Sequence, residues 1–168
     1  TTSFLNAARR KGITVKTECP VTSLIMEGGK VKGVKTAQGI LYAETVIVAI
    51  GPWSRSLTDG IGLDIPLDVS RHTVLTMRSG AEYGRMLPIV KDLVTDNKMY
   101  FRPATGGVVL VGTGDHGDPI TDADTIDENV SDDFILHMGG LVAHRMPSFA
   151  SAEFTDSWVG AYDITPDW

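Results

Sequence analysis

Several features that mark other protein classes are scarce in this sequence. Cys19 is the only cysteine among the 168 residues, so no internal disulfide framework can form. This agrees with a reducing compartment, and we expect a cytoplasmic protein. The net charge is −6 at pH 7, which argues against a nucleic-acid partner. No apolar run approaches the roughly 18 residues that a membrane helix needs, so we expect no membrane segment.

Metal-binding patterns are missing as well. The four histidines show no pairing at zinc-ligand spacing. The acidic run at residues 122–128 lacks the glycine and the terminal bidentate glutamate of a calcium loop. We therefore expect no metal site and interpret the run as a solvated loop that leads into a helix.

What is present is typical of a globular protein, with 42% hydrophobic and 21% charged residues. In the first part of the chain, a helix is predicted over residues 4–11, ended by Gly12. Alternation of apolar and polar residues predicts short strands thereafter. They are an edge-like strand at residues 13–17, a hairpin of residues 21–26 and 31–36 around a glycine turn, and a further strand at residues 40–42.

The next stretch, residues 45–53 (TVIVAIGPW), is the one around which the first part of the chain is organised. Residues 46–50 are apolar and mostly β-branched, which predicts a strand buried on both faces. Gly51 ends that strand, and Pro52 is suited to the first turn of a helix. A buried strand followed by a glycine turn is where α/β proteins place a ligand.

The second part of the chain predicts an antiparallel sheet with a helix. A glycine-rich passage at residues 58–66 separates it from the first part. A helix is best formed over residues 130–146, ended by Pro147. Short strands joined by short turns favour antiparallel pairing. These strands are expected at residues 72–77, 87–94, 99–102, 108–111 and 152–162. The fold class is therefore α+β, with predicted domains at residues 1–60 and 61–168.

Residues 112–117 (GTGDHG) match the Gly-x-Gly-x-x-Gly pattern of dinucleotide sites and follow a predicted strand. A phosphate-binding turn requires a helix to start at once, with its N–H groups pointing at the pyrophosphate. Instead Asp115, Asp118 and further acidic residues follow, and these would repel a phosphate. We interpret the segment as a loop at the end of a strand.

The stretch at residues 45–53 resembles the "VVAAGPWS" segment of the FAD-dependent oxidoreductases of the D-amino-acid oxidase superfamily, which includes sarcosine oxidase, glycine oxidase and dimethylglycine dehydrogenase. Four other segments resemble this family in the same order along the chain. They are residues 20–24, 31–39, 100–107 and 160–167. The resemblance implies that the first part, a β-meander and a buried strand, belongs to an FAD-binding domain, and that the second part is the substrate domain.

By the same resemblance, FAD is the expected cofactor. The residue that matches Val21 touches the adenine end of FAD through its backbone in the family. The turn formed by Ala49, Ile50 and Gly51, followed by Trp53, is expected to lie along the cofactor. The alternative is that Val21 is simply a strand residue and Gly51 simply a turn.

The resemblance also implies a substrate site. Tyr162 stands where the family places a ligand of the substrate carboxylate. A tyrosine hydroxyl alone would hold a carboxylate weakly, so a second, cationic group is implied. Arg102 is the candidate, although an outward-facing strand residue is the alternative reading, and Tyr100 is expected to line the same pocket. His116 lies two residues from the family's flavin-proximal histidine, with a surface loop histidine as the alternative.

Two positions depart from the sarcosine oxidase pattern. Leu110 occupies the position of a lysine that helps oxygen react with reduced flavin, which leaves a dehydrogenase with another electron acceptor as an open alternative. Gly160 occupies the position of the cysteine that is linked covalently to flavin in sarcosine oxidase. Attachment at that position is therefore not expected.

The expected function is oxidation of the C–N bond of an amine or amino acid, such as an N-methylated glycine, to an imine. Two alternatives stay open: a flavoprotein acting on a hydroxy acid or glycerol phosphate, and a non-catalytic module that binds a small carboxylate or a partner subunit. Because the chain starts without methionine and lacks the family's N-terminal Gly-x-Gly-x-x-Gly unit, we expect it to be an internal fragment that is inactive alone.

Overall fold

The computed structural model describes residues 2–79, 87–94, 96, 98–115 and 118–167. These form two compact units, unit 1 up to Ile65 and unit 2 from Pro66 onward. None of the helices in these ranges has the length and apolar character to cross a bilayer. The mixture of helices and antiparallel sheets confirms the α+β prediction. The functional labels of the two parts stay predictions.

Unit 1 consists of a helix, a three-stranded meander and a second short helix. Helix α1 ends in basic residues, and Gly12 follows it with a φ of +79°, as predicted for its C-terminal stop. Strands β1, β2 and β3 pair antiparallel in chain order, which confirms the predicted hairpin and its continuation. The elements are α1 Thr2–Arg10, β1 Val21–Glu27, β2 Lys30–Thr36, β3 Gly39–Tyr42, a 3₁₀ turn Gly51–Trp53 and α2 Ser54–Asp59.

Two strands predicted in unit 1 are wrong. Residues 13–17 and residues 46–50 have irregular backbone, and neither stretch joins a ladder with any described strand. Ile47, expected to be buried, is 86% exposed. A strand exists only through hydrogen bonds to a neighbour, and β-branched composition alone does not supply one. The predicted glycine turn and helix after residue 50 are confirmed by the 3₁₀ turn and α2.

Unit 2 is a six-stranded antiparallel sheet, in the part that the structure describes, with one long helix. The long strand β4 lies at the centre and pairs with β7, β8 and β9. The predicted strand at residues 87–94 is much shorter than expected, because only two of its residues pair with β6. The elements are β4 Asp68–Arg78, β5 Val90–Lys91, β6 Tyr100–Pro103, β7 Val109–Gly112, β8 Pro119–Ile120, 3₁₀ turns Ala123–Thr125 and Pro147–Phe149, α3 Asp132–Arg145 and β9 Glu153–Ile164.

Helix α3 covers one face of this sheet. Ser131 caps it by accepting a hydrogen bond from the Phe134 N–H, and acidic residues occupy its first turn, where they complement the helix dipole. Its buried Met138 and Val142 pack into the core of unit 2. That core also contains Leu75, Met77, Met99, Phe101, Val109, Val111 and Phe149. All buried hydrophobic side chains of the described residues lie in unit 2.

Candidate functional site

The strand register places side chains of four strands on the sheet face opposite α3. Residues directly opposite each other in an antiparallel ladder share a face, and alternate residues along a strand share it too. The pairs Tyr100 with Gly112, Gly112 with Val74 and Val74 with Trp158 lead from β6 to β9. We call this surface the even face, because its residues in these four strands all carry even numbers. They are Ser70, His72, Val74 and Thr76, Tyr100 and Arg102, Leu110 and Gly112, and Trp158, Gly160 and Tyr162.

Three of the predicted substrate residues meet on this face. Tyr100 and Arg102 come from β6 and Tyr162 comes from β9, although β7 and β4 lie between these two strands. Three strand spacings separate β6 from β9, which is roughly 14 Å between backbones. The Tyr100 and Tyr162 side chains close this gap by leaning toward each other, and their hydroxyls are hydrogen-bonded. His116, the fourth predicted substrate residue, lies outside the described residues.

The small residue beneath Tyr100 explains how its ring lies across β7. A Cβ built on Gly112 would be 2.5 Å from both the Cζ and the hydroxyl oxygen of Tyr100. Only a residue without a side chain leaves this space. The first glycine of the apparent Gly-x-Gly-x-x-Gly pattern therefore serves to accommodate an aromatic ring, and the next described residues after the loop form strand β8, not a helix.

Tyr162 lies on a second aromatic ring. Its ring and that of His72 are stacked with centroids 3.7 Å apart and an angle of 13° between the planes. His72 is 4% exposed, whereas Tyr162 is 42% exposed. No local pattern singles out His72, because its neighbour in the ladder is some ninety positions away along the chain, in β9.

The environment of the two hydroxyls keeps Tyr100 protonated. Burial, and then the proximity and hydrogen bond of Tyr162, raise the pKa of Tyr100 to about 12, and the positive charge of Arg102 opposes this rise. At neutral pH Tyr100 is therefore an O–H group that can donate a hydrogen bond. Arg102 is exposed next to it, and its Nη1 donates to the carbonyl oxygen of Pro103 at 3.4 Å. One cation and two phenols on one face form a surface suited to a carboxylate.

We expect this pKa to be visible in an alkaline titration of the whole protein. The unfolded chain loses the Tyr100 proton near pH 10, about the ordinary tyrosine pKa, whereas the folded chain keeps it to about pH 12. The stability contributed by this group is therefore complete below pH 10 and is lost as the pH rises to about 12. Tyrosinate absorbance will show a late-ionising component that is absent in Tyr100→Phe. In Tyr162→Phe, Tyr100 will ionise at lower pH, and an unchanged titration there would contradict the hydrogen-bonded pair.

In unit 1, the predicted cofactor residues form two stretches of accessible backbone. Val21 begins β1, an edge strand, so one row of its N–H and C=O groups points away from β2. Ala49 and Ile50 are exposed, and Gly51 follows them with a φ of +58°, a conformation that favours glycine. Trp53 is exposed at the end of the 3₁₀ turn. Such backbone fits the hydrogen-bonding role predicted for these residues toward FAD, and the assignment stays a prediction.

A cavity of about 600 Å³ lies away from the even face. Its wall includes Arg71, on the helix-covered side of β4, and the loop before α3. The Arg71 guanidinium donates to the carbonyl oxygens of Asp127 and Asn129 at 2.7 and 2.5 Å, and to Thr73 and Asp118 at 3.1 and 3.3 Å. Because these bonds hold the loop to the sheet, we assign Arg71 a structural role.

Replacing Arg71 with methionine will therefore destabilise unit 2. The variant keeps much of the apolar stem but loses the charged hydrogen bonds, for which we expect a loss of about 1–3 kcal/mol in the free energy of unfolding. Arg55→Met is the control, because the Arg55–Asp64 ion pair, at 3.5 Å, is solvent-exposed and is expected to contribute less than about 1 kcal/mol. Denaturant unfolding of both variants measures the difference, and equal losses would contradict the role of Arg71.

A comparison with known families identifies the class of protein. The family model for FAD-dependent oxidoreductases of the D-amino-acid oxidase type matches residues 1–168, and the chain belongs to this family. FAD is therefore its cofactor.

Individual relatives agree with this. The chain is 24% identical over 156 residues to glycine oxidase of Pseudomonas putida, covering 92% of this chain and 39% of that protein. It is 29% identical over 163 residues to D-amino acid dehydrogenase of Vibrio cholerae, covering 95% of this chain and 36% of that protein. The structure of L-proline dehydrogenase from P. horikoshii matches with a TM-score of 0.84 at 23% identity, over 99% of this chain and 43% of that one. The chain thus spans less than half the length of these relatives.

Proposed function

We propose that the whole protein oxidises the C–N bond of an amine or amino acid to an imine, with FAD as the hydride acceptor. The observation that carries this proposal is the meeting of Tyr100, Tyr162 and Arg102 on the even face. A hydrogen-bonded pair of phenols beside a cation is suited to a carboxylate, the group that amino acids share. The names of the relatives, which include an oxidase and a dehydrogenase of amino acids, support the same substrate class.

In this proposal each residue of the chain has a defined task. Arg102 supplies the charge that attracts the carboxylate. The two tyrosine hydroxyls share one hydrogen bond with each other, so one of their two protons is left to donate to the carboxylate and fix its orientation. Val21, Ala49, Ile50, Gly51 and Trp53 contact the cofactor, the first four through backbone. No general base of this chain is required, because the protein orients the substrate while the flavin provides the redox chemistry. The substrate is a small molecule, and an N-methylated glycine is one candidate.

Leu110 bears on the electron acceptor. Leu110 is buried on the even face at the position where sarcosine oxidase-type members carry a lysine. A leucine offers no charge to stabilise reduced oxygen, which favours a dehydrogenase that passes electrons to another acceptor or to a partner subunit. A cytoplasmic location is also proposed, supported by the single cysteine.

The test is an anaerobic titration of the flavin-loaded whole protein with free amino acids, N-methyl amino acids and hydroxy acids. Loss of flavin absorbance with an amine is the expected result, and slow return of colour in air would indicate a dehydrogenase. Bleaching by hydroxy acids alone would replace the proposal with the hydroxy-acid alternative. A flavin that no amine reduces would refute it.

A further inference from the structure

His72 is a buried residue of the even face that the proposed function does not yet use, and unlike the buried Ser70 and Thr76 it carries a ring. It lies in the middle of β4, the central strand, and its ring is nearly inaccessible to solvent. On β9, the residue directly opposite is Gly160, which adds no side chain, and the ring of Tyr162 lies over the imidazole instead. The near-parallel planes make this an extended contact of one ring with the other.

The contact restricts the ring of Tyr162, which is 42% exposed. Tyr162 is paired with Ser70 across the ladder, and serine is too small to support a phenol ring. The imidazole below and the Tyr100 hydroxyl beside it therefore contribute to fixing the Tyr162 hydroxyl. Ordering a side chain before binding reduces the entropy that the ligand must otherwise overcome.

We propose that His72 is a positioning residue for the substrate carboxylate, acting through the ring of Tyr162. This rests on the proposed function, since it concerns the same carboxylate site. The imidazole does not contact the substrate in this scheme. Its contribution is the flat surface on which Tyr162 is held, so another flat ring at position 72 will serve and an aliphatic side chain will not.

The substitutions His72→Phe and His72→Leu separate these cases in the flavin-loaded whole protein. We expect His72→Leu to raise KM for the amino-acid substrate about three- to tenfold, the range of an aromatic pair, with kcat changed less than about twofold. His72→Phe should leave KM within about twofold of the unsubstituted protein. In a Tyr162→Phe background, His72→Leu should no longer change KM. Thr76→Val, on the same strand and face, is the control for general damage to β4.

A readout without substrate keeps this inference separate from the proposed function. With ¹³C-labelled tyrosine, the ring resonances of Tyr162, identified with Tyr162→Phe, will carry the ring-current shift of the stack. That shift should persist in His72→Phe, disappear in His72→Leu and be unaffected by Thr76→Val. If His72→Leu loses the ring-current shift but leaves KM unchanged, the positioning role is overturned. It is also overturned if His72→Leu changes KM equally with Tyr162 and with phenylalanine at position 162. If no substrate is found, the dissociation constant of a simple carboxylate, measured from flavin absorbance, takes the place of KM. We expect it to rise in His72→Leu and to stay unchanged in His72→Phe.

Discussion

Replacing Gly112 with alanine will reduce kcat/KM for the amino-acid substrate by about tenfold or more in the flavin-loaded whole protein. The new Cβ would lie 2.5 Å from the ring carbon and the hydroxyl oxygen of Tyr100, so the ring must move. The clash is with the end of a side chain and not with backbone, which makes the shift inexpensive for folding. It nevertheless breaks the pair of hydroxyls that places the donor to the carboxylate, and a hydrogen bond to a charged group is worth about 1.5–3 kcal/mol.

The control for this substitution is Gly140→Ala. Gly140 is on the exposed side of α3, where an added Cβ meets no atom within 4 Å. Alanine there should stabilise the helix by up to about 1 kcal/mol and leave the kinetics unchanged. In a Tyr100→Ala background, Gly112→Ala should have no further effect on kcat/KM. A full effect in that background would mean that Gly112 acts on something other than Tyr100.

Truncating Phe149 will cause the largest loss of stability that we expect from any single substitution discussed. Phe149 is 2% exposed and belongs to the core cluster between α3 and the sheet. Phenylalanine-to-alanine changes in such positions cost about 3–5 kcal/mol, because transfer energy is lost and a cavity remains. The measurement is the denaturant midpoint of the whole protein, followed by a probe in unit 2.

Leu136→Ala provides the comparison, because Leu136 is also an apolar residue of this region but is 73% exposed on α3. Its loss should change stability by no more than about 0.5 kcal/mol. Similar midpoints for the two variants would show that Phe149 does not contribute to a well-packed core.

The elements of this fold were predictable from sequence where local chemistry decides them. The turn glycines of the β1–β2 hairpin, Gly12 after α1 and Pro147 after α3 all act within a few residues of their position. Their predicted effects are therefore confirmed. Such signals depend on backbone conformations that the residue itself favours or forbids.

The strand predictions that were wrong have a different origin. Residues 46–50 have the composition of a buried strand, but none of the described strands pairs with them, and sequence composition cannot reveal whether a partner is in reach. The strand at residues 87–94 was overestimated for the same reason, since only Val90 and Lys91 find partners in β6. Strand length is set by the neighbour as much as by the strand.

The candidate site shows the same division. Tyr100, Arg102 and Tyr162 were found through the family resemblance, and their roles stay predictions. His72 and Gly112 were missed, because each acts on a residue from another strand. Only the register of β4 against β7 and β9 brings these residues together, and that register is long-range information.

The alternation along β4 has a consequence for engineering new specificity. Even-numbered positions of β4, β6 and β7, and those of β9 from residue 156 onward, face the candidate site, and odd-numbered positions such as Leu75 face the core under α3. A bulge in the β4–β9 pairing ends this rule, because it places Phe154 opposite the core residue Met77. A mutational library at exposed even positions, such as Trp158 and Tyr162, would sample altered ligand recognition at low risk to folding. A library of buried odd positions would sample thermal tolerance. The two faces of one sheet thus offer two sets of sites for directed evolution.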